Sequence, residues 1–367
     1  MPIISFFKKN AIMSIALTAA VITTFLVPID HRYLGYFDFK TLTCLFCVLA
    51  VVCALKNINF FYLLSEKIVR KFKTTRRCVL ALVYITFLGS MLIANDMALL
   101  TFLPLGYFVL TSAKKEHYMA VTFILQNIAA NLGGMLTPFG NPQNLYLYTR
   151  FHIANGEFIR IMAPPFFLAV LLITLCCFFI KKDPIHIKDE PITFPKNRVA
   201  IYFILFAFSV AMVFRFIPYG IGLAVIPTTL FFLDKDALKK VDYPLLLTFV
   251  FFFIFSGNMA RIPAVRDLFS LLLQKNTLLF SILSCQVISN VPSAILLSQF
   301  TTDYRNLLPG VNIGGVGTLI ASLASLITFR EYVKHNPGKI GYYLFLFSVF
   351  NFGFLILLTV FQSVFPV

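Results

Sequence analysis

Long apolar runs separated by short polar segments make up most of this chain. A helix that spans a bilayer needs ~20 consecutive, mostly apolar residues. Nine runs approach this length, and they predict spanning helices at 11–28, 39–55, 118–148, 158–180, 199–214, 219–233, 243–257, 309–328 and 340–364. The pattern therefore predicts an all-α polytopic membrane protein.

Two further apolar runs, 79–111 and 277–300, do not fit one span each. The first is too long for a single helix and carries Asn95-Asp96 near its centre, and the second carries Ser289-Asn290 and Pro292. Polar backbone at membrane depth is tolerated only where it is buried in protein or lines a wet cavity. We therefore expect each run to form two half-length helices joined at a polar tip, a re-entrant hairpin that enters and leaves on one face.

An internal repeat relates the two halves of the chain. The segment that begins Asn131-Leu132-Gly133-Gly134 aligns without gaps on the segment that begins Asn312-Ile313-Gly314-Gly315. Both halves have the predicted order helix, helix, interfacial helix, hairpin, interrupted helix, helix, and the extra span 199–214 reverses the orientation of the second. Inverted-topology repeats of this kind are typical of secondary transporters. We predict a first repeat, a connecting loop with a linking helix, and a second repeat at 1–180, 181–214 and 215–367.

Composition and charge indicate where the chain lies. Hydrophobic residues make up 59% of the 367 residues, charged residues make up 13%, and the mean hydropathy is +0.87, which leaves too little polar surface for a soluble domain. Of the 31 Lys and Arg residues, 22 fall in segments that are predicted to lie on the same side of the membrane as the N-terminus. This bias is typical of cytoplasmic loops. We expect a multi-pass protein of the cytoplasmic (inner) membrane, with a cytoplasmic N-terminus, the lipid bilayer as a partner and no nucleic acid partner.

Three further features refine this picture. Two basic segments with apolar residues among them, 56–77 and 260–275, predict helices that lie in the interface before each hairpin. The start of the chain, with the apolar stretch 11–27 after two lysines, imitates a signal peptide, but a retained first helix is favoured because the rest of the chain is equally apolar. The seven Cys fall almost entirely within apolar runs, so we expect buried thiols and neither disulfides nor a metal site of Cys ligands.

Four predicted helix breaks are candidate binding sites: the tips 94–96 and 289–291, and the kinks 138–142 and 314–322. Half-helix N-termini offer amides to an anion, and freed carbonyls with Asn or Ser side chains can coordinate Na⁺. Alternatively, Gly and Pro at such places only permit close packing or a kink, but recurrence in matched pairs favours a site. We predict substrate or ion binding by Asn95, Asp96, Gly140, Asn141, Asn144, Ser289, Asn290, Ala321 and Ser322, with Na⁺ at Asn95, Gly140, Asn290 and Ala321.

Asp96 differs from the other 14 carboxylates, which all fall in or beside predicted loops. An ionisable group inside the membrane costs ~2.5–3.5 kcal/mol and indicates function by default. Asp96 could bind a cation as the carboxylate or carry a proton as the acid, or it could cap the half-helix that follows. The second tip has Val291 instead, so we expect an asymmetric site with ion coupling concentrated in the first half.

Several other classes of activity lack the residues that they need. The sequence has no Gly-x-x-x-x-Gly-Lys-Ser/Thr nucleotide loop. It has one acid at membrane depth, whereas an aspartyl protease uses two, and its five His lie at or near loop ends. We therefore predict that the chain is not an enzyme and that it needs no cofactor beyond Na⁺ or H⁺ as the coupling ion.

The tips and kinks resemble those of the ion transporter superfamily, which holds divalent-anion/sodium symporters, citrate-metal symporters, arsenite efflux permeases and D-type sodium/proton antiporters. Dicarboxylate members carry Ser-Asn-Thr at each tip. Here Ala94-Asn95-Asp96 and Ser289-Asn290-Val291 keep both Asn and one Ser, and the Asn-Asp tip is more similar to the arsenite permease and antiporter branches. The segment Gly140-Asn141-Pro142-Gln143-Asn144 resembles that of uncharacterised bacterial anion permeases. The resemblance implies an elevator-type transport domain of hairpins and interrupted helices, and a homodimer.

These features predict a secondary active transporter that moves a small anion or inorganic oxyanion, coupled to Na⁺ or H⁺. Two alternatives stay open. One is a cation/proton antiporter that uses Asp96 and moves no organic substrate. The other, which has less support, is an ion channel, for which no hydrophilic pore-lining helix is visible.

Overall fold

The computed structural model describes residues 10–185 and 196–365, and the regular elements within these ranges are helices. They run Ala11–Leu26, Phe39–Asn57, Phe60–Val69, Thr75–Ile93, Asn95–Ser112, Met119–Gly133, Pro142–Arg150, Asn155–Phe178, Lys196–Val213, Tyr219–Leu233, Lys235–Lys239, Tyr243–Arg261, Pro263–Ile288, Asn290–Leu297, Tyr304–Ile313, Leu323–His335 and Ile340–Val364. The predicted all-α fold is thereby confirmed. The basic start of the chain before residue 10, and residues 186–195 of the predicted connecting loop, lie outside the described residues.

Aspartates begin several of these helices. Asp38 Oδ1 accepts a hydrogen bond from Thr41 N at 3.0 Å, and Asp242 Oδ1 accepts one from Leu245 N at 3.0 Å. Two more aspartates cap helices in the same way: Asp234 and Asp303. Such caps satisfy amides that the first helical turn leaves unpaired, which explains why so many acids fall beside the predicted loops.

Seven helices of the described ranges are long and apolar enough to cross a membrane: Phe39–Asn57, Thr75–Ile93, Glu116–Leu136, Asn155–Phe178, Tyr243–Arg261, Pro263–Ile288 and Pro337–Val364. Three shorter apolar helices match three more of the predicted spans: Ile12–Leu26, Arg198–Val213 and Tyr219–Leu233. The predicted interrupted helix 309–328 is too short, because its halves extend from Tyr304 to His335. The outer turns of these two half-helices carry polar residues, so the predicted apolar run left them out.

The first hairpin forms, with longer arms than predicted. Helices Thr75–Ile93 and Asn95–Ser112 pack together and turn at Ala94, whose φ of 64° and ψ of 153° are not helical. At 1.5 Å per residue the first arm is ~28 Å long, so the expected half-length is wrong for this hairpin. Its first turn includes basic residues, which the apolar run 79–111 left out.

The tip of this hairpin nevertheless lies beside a helix break. Thr137 Oγ1 donates a hydrogen bond to Met91 O at 2.9 Å, and Thr137 lies between the two halves of the first interrupted helix, Met119–Gly133 and Pro142–Arg150. Helix Pro142–Arg150, the second half, continues beyond the hairpin tip for nine residues, which is ~13.5 Å of helix. The tip therefore stops short of the far end of its neighbour, as a re-entrant hairpin does.

The second hairpin is shorter than the first. Pro263–Ile288 departs from helical geometry at Asn276, with φ −164° and ψ 95°, so the predicted interfacial segment ends there and the first arm follows. The chain turns at Ser289, with φ 76° and ψ 159°, and returns as the eight-residue helix Asn290–Leu297. Ala94 and Ser289 thus share one unusual backbone conformation, each directly before a tip asparagine. Before the first hairpin, the predicted interfacial segment 56–77 is helical chiefly over Phe60–Val69.

Contacts between helix ends define two faces of the molecule. Face one holds the base of the first hairpin, where Thr75 N donates to Asp183 O at 2.8 Å and Lys115 Nζ lies 2.9 Å from Asp183 Oδ2. Face two holds the Arg305–Glu157 pair, 2.8 Å apart, and the kink at Asn276, which lines a surface cavity together with Asp303. The two hairpins therefore start from opposite faces. The repeat boundaries 1–180, 181–214 and 215–367, and the assignment of face one to the cytoplasm, stay predictions.

Gly133 allows the first interrupted helix to touch the first hairpin. A Cβ atom there would lie 2.3 Å from Phe87 O and 2.6 Å from Ser90 Oγ, and backbone cannot yield as a flexible side-chain end can. We expect Gly133→Ala to lower the free energy of unfolding by ~1–3 kcal/mol, the usual cost of overpacking, measured as a lower midpoint of thermal unfolding in detergent. Gly353→Ala is the control, since nothing lies within 4 Å of the position that a Cβ would take there. Equal losses in both variants would contradict the contact.

Candidate functional site

The two hairpin tips and the two helix breaks meet at one cavity of about 120 Å³. Its polar lining includes Asn95, Asp96, Gln143, Ser289, Asn290, Ser322, Asp242 and Arg330. The starts of helices Ala11–Leu26 and Tyr243–Arg261 also line it, and the far ends of these two helices are joined at face two by the Asp30–Arg261 pair, 2.8 Å apart. The cavity therefore extends from the tips toward face one.

Asn131 connects the first tip to the second helix break. Its side-chain Oδ1 accepts hydrogen bonds from Asn95 Nδ2 at 3.2 Å and from Ser322 Oγ at 2.8 Å. Its own amide donates to the backbone oxygen of Asn127 at 3.2 Å. Asn131 is 2% exposed, so one buried amide fixes the position of two cavity-lining residues.

Asn312 makes the reciprocal connection, from the second interrupted helix to the first break. Its Oδ1 accepts from Asn141 Nδ2 and Gln143 Nε2, each at 3.3 Å. Its Nδ2 donates to Asn144 Oδ1 at 2.6 Å and to Leu308 O at 2.8 Å. The sequence alignment pairs Asn131 with Asn312, and each holds the break of the opposite half.

Amide side chains also occupy the backbone oxygens that the breaks set free. Asn144 Nδ2 lies within 3.1–3.3 Å of three such oxygens, those of Gly134, Met135 and Thr137. At the second break, Gln286 Nε2 donates to Gly314 O at 2.9 Å. Because an unpaired carbonyl at membrane depth costs several kcal/mol, these amides allow both breaks to exist.

The second tip is closed by the backbone of the second break. Asn290 N donates to Ala321 O at 2.9 Å, and Ser289 Oγ lies 3.3 Å from the same oxygen. Ala321 O thus accepts one backbone hydrogen bond and lies within reach of the Ser289 hydroxyl, which also lies 3.4 Å from Asn290 Oδ1. Asn290 Oδ1 in turn accepts from Val291 N at 2.9 Å, as Asn95 Oδ1 accepts from Asp96 N at 2.9 Å.

Two acceptor oxygens on the cavity wall have no donor. Asp96 Oδ1 and Gln143 Oε1 are buried, and neither has a hydrogen-bond partner among the described residues. Helix Asn95–Ser112 begins without a side-chain capping bond, so the alternative role of Asp96 as a cap is not what this geometry shows. Buried acceptors without donors favour a cation or a ligand that carries O–H or N–H groups.

The structure brings five of the nine predicted residues to the cavity: Asn95, Asp96, Ser289, Asn290 and Ser322. The other four lie behind its wall: Gly140, Asn141, Asn144 and Ala321. Gly140 permits a close backbone contact, since a Cβ there would lie 2.4 Å from Gly134 O. The sequence did not predict roles for Gln143, Asn131 and Asn312, although all three lie in the two repeated segments that begin at Asn131 and Asn312. It also missed Asp242 and Arg330, which no motif indicates.

Comparison with known proteins decides the family. A family model described as citrate transporter matches residues 3–303. The chain belongs to the citrate transporter family. This citrate transporter family member is 33% identical to an uncharacterized transporter of Methanocaldococcus jannaschii, over 89% of its own length and 90% of the relative. It is 29% identical to the inner membrane protein YbiR of Escherichia coli, over 95% and 94%.

A third relative is more distant and matches only in part. The silicon efflux transporter LSI3 of Oryza sativa subsp. japonica is 27% identical to this citrate transporter family member over 179 residues, which are 48% of the chain and 36% of LSI3. The predicted membership of the ion transporter superfamily is confirmed. The chain is a multi-pass membrane transporter of the anion permease type.

Proposed function

We propose that this chain is a secondary active transporter of a small anion or oxyanion, coupled to Na⁺ or H⁺. The observation that carries the proposal is the cavity at which both hairpin tips and both helix breaks meet. Substrate sites of transporters with broken helices are typically found at such junctions. The name of the family model adds support, since citrate is an anion.

An anion would be held by the helix starts and by side chains. Helices Asn95–Ser112 and Asn290–Leu297 begin at the cavity, so the positive ends of their dipoles favour an oxyanion there. The first-turn amides of Asn290–Leu297 are already engaged, since Asn290 N, Val291 N and Ser293 N donate within the chain. Hydroxyl groups of Ser289 and Ser322 and the exposed Arg330 line the same space. Arg330 suits oxygen atoms that carry negative charge, whereas the hydroxyl protons of Ser289 and Ser322 are donated within the chain and would have to turn toward an anion.

The coupling ion would bind where acceptors have no donor. Asp96 Oδ1 and Gln143 Oε1 provide oxygens for Na⁺, or Asp96 accepts a proton. A cation there offsets the charge of an anion beside the tips, so that each ligand favours binding of the other. Coupling of this kind is typically worth ~1–3 kcal/mol.

Electrophysiology on solid-supported membranes tests this proposal. Proteoliposomes of the purified chain receive a panel of oxyanions and carboxylates, first with a Na⁺ gradient and then with an H⁺ gradient. We expect a transient current for at least one anion that depends on one of the two gradients. Protein that keeps its thermal unfolding midpoint and gives no current with any member of the panel would contradict it.

Three finer features belong to the same proposal. The hairpins and interrupted helices would move as an elevator against the remaining spans, and the functional unit would be a homodimer, because the superfamily resemblance implies both. The chain would lie in the cytoplasmic membrane, since its relative YbiR is an inner membrane protein.

A cation/proton antiporter is the second candidate, favoured by the two carboxylates of the cavity, Asp96 and Asp242. A trapped pH-sensitive dye separates the two functions. Proton flux that depends on Na⁺ and needs no added anion would support antiport, whereas proton flux that appears only with an anion would support symport or anion exchange.

A further inference from the structure

A second cavity, of about 340 Å³, is lined by Arg150 and His152, which directly precede the helix start that carries Glu157 at face two. Its lining includes Tyr36, whose hydroxyl accepts a hydrogen bond from Arg261 Nη1 at 3.1 Å. Lys40 and Arg150 also line it, and neither forms an ion pair within the described part of the chain. The one carboxylate of the lining, Asp38, is engaged by Thr41, which donates through N at 3.0 Å and Oγ1 at 2.6 Å. The cavity therefore presents two basic groups to a solute from face two.

The same elements line this cavity and the one at the tips. On helix Pro142–Arg150, Gln143 lines the first cavity and Tyr146 lines the second. On helix Tyr243–Arg261, Thr248 lines the first and Phe253 lines the second. Three and five residues of helix correspond to ~4.5 Å and ~7.5 Å. The barrier between the two cavities is therefore about one helical turn thick.

Tyr146 lines the second cavity, about one helical turn from Gln143, which lines the first. Its side chain is 1% exposed, its hydroxyl lies 2.8 Å from Ser298 Oγ, and its ring centroid lies 5.6 Å from that of Phe253. Gln299 Nε2 lies 3.4 Å from the same hydroxyl and also lines the second cavity. Tyr146 and Ser298 thus hold together the first interrupted helix and the end of the second hairpin.

We propose that the second cavity is the face-two vestibule of the transport path, and that Tyr146, held by Ser298 and Phe253, closes the first cavity from it. The proposal rests on the proposed function. Phe253 belongs to a different helix from Tyr146 and Ser298, so movement of the hairpin past helix Tyr243–Arg261 separates the rings and opens the path. The basic vestibule raises the local concentration of an anion at that entrance.

The first test is Tyr146→Ala, which removes the ring and joins the cavities. We expect the passive iodide flux into proteoliposomes, read with a trapped halide-sensitive dye and without any Na⁺ or H⁺ gradient, to rise at least tenfold. Tyr148→Ala is the matched control, since Tyr148 is also 1% exposed, lies on the same helix and lines neither cavity. A Tyr146→Ala protein that keeps its unfolding midpoint and leaks no more than the control would overturn the proposal.

The second test needs neither transport nor the Ala variant. Thr149→Cys places a thiol in the second cavity and Leu326→Cys places one in the first. In sealed vesicles, a membrane-impermeant maleimide should label each variant from one side only, and from opposite sides. Wild-type vesicles give the background from the seven native Cys. Labelling of both variants from the same side overturns the proposal, whereas loss of coupled currents alone would count only against the proposed function.

Discussion

Replacing Asp96 by Asn should lower ion-coupled uptake by about 5- to 150-fold, the range that corresponds to typical coupling free energies of ~1–3 kcal/mol. The substitution keeps the size of the side chain and removes the charge. Asp96 Oδ1 lies buried on the cavity wall and has no donor among the residues that the structure describes, so a bound cation or proton would be its natural partner. The initial rate of uptake into proteoliposomes, measured separately with Na⁺ and H⁺ gradients, gives the loss and identifies the ion.

Asp303→Asn is the control for this experiment. Asp303 caps helix Tyr304–Ile313 near face two, through Oδ1 and Asn306 N at 3.3 Å, and Asn is an equally good capping residue. We expect its uptake to match the wild type. An Asp96→Asn protein with wild-type uptake and unchanged ion dependence would exclude Asp96 from coupling.

Replacing Asn312 by Ala should lower the free energy of unfolding by ~3 kcal/mol or more. The change removes bonds to four buried partners: Asn141, Gln143, Asn144 and Leu308. Gln143 Nε2 and Asn144 Oδ1 then have no other hydrogen bond among the described residues. Each buried polar group left unsatisfied costs ~1–3 kcal/mol, and such costs within one network do not add fully. A lower thermal unfolding midpoint in detergent measures the loss, and uptake should fall too, because Gln143 lines the cavity.

Asn351→Ala is the matched control, because Asn351 is buried as deeply as Asn312 but does not belong to the hydrogen-bond network around Asn312. Asn351 is 0% exposed, and its side chain donates one bond to Phe347 O of its own helix, at 2.9 Å. We expect a loss of no more than ~1 kcal/mol, the usual net value of one hydrogen bond. If Asn312→Ala and Asn351→Ala lowered the midpoint equally, the network around Asn312 would not hold the two halves together.

The positions of the helix breaks were predictable because a break inside the membrane requires residues that tolerate it. Asn, Gly and Pro at these depths stand out against apolar neighbours. The chain turns at Ala94 and Ser289, one residue before the two asparagines that marked the tips. At the kinks, helices resume at Pro142 and Leu323, which are the positions that the ungapped alignment pairs.

The lengths of the arms were less predictable, because hydropathy marks only the part of a helix that avoids water. The first arm begins at Thr75 with Arg76 and Arg77, which an apolar run leaves out. In the second half, helix runs from Pro263 into the hairpin, and only the backbone at Asn276 separates the interfacial part from the arm. Neither boundary follows from composition.

The roles of the asparagines could not be assigned from their spacing. Asn141 and Asn144 were predicted to bind substrate or ion, but their amides hold Asn312 and the backbone oxygens of the break. A buried amide that binds a ligand and one that satisfies backbone have the same residue type and the same depth. Only the neighbours in space distinguish them.

The sequence by itself determined the membrane-spanning helical character of the chain, the four helix breaks and the lone Asp96, because each depends on the transfer of a residue from water to lipid. The tertiary structure alone decided which polar groups face the cavity. It brought Asp242 and Arg330 to the same space as the tips, and it placed Tyr146 in the lining of a second cavity. These contacts join residues that are far apart in the chain, and hydropathy, which is a local property, carries no information about such pairs.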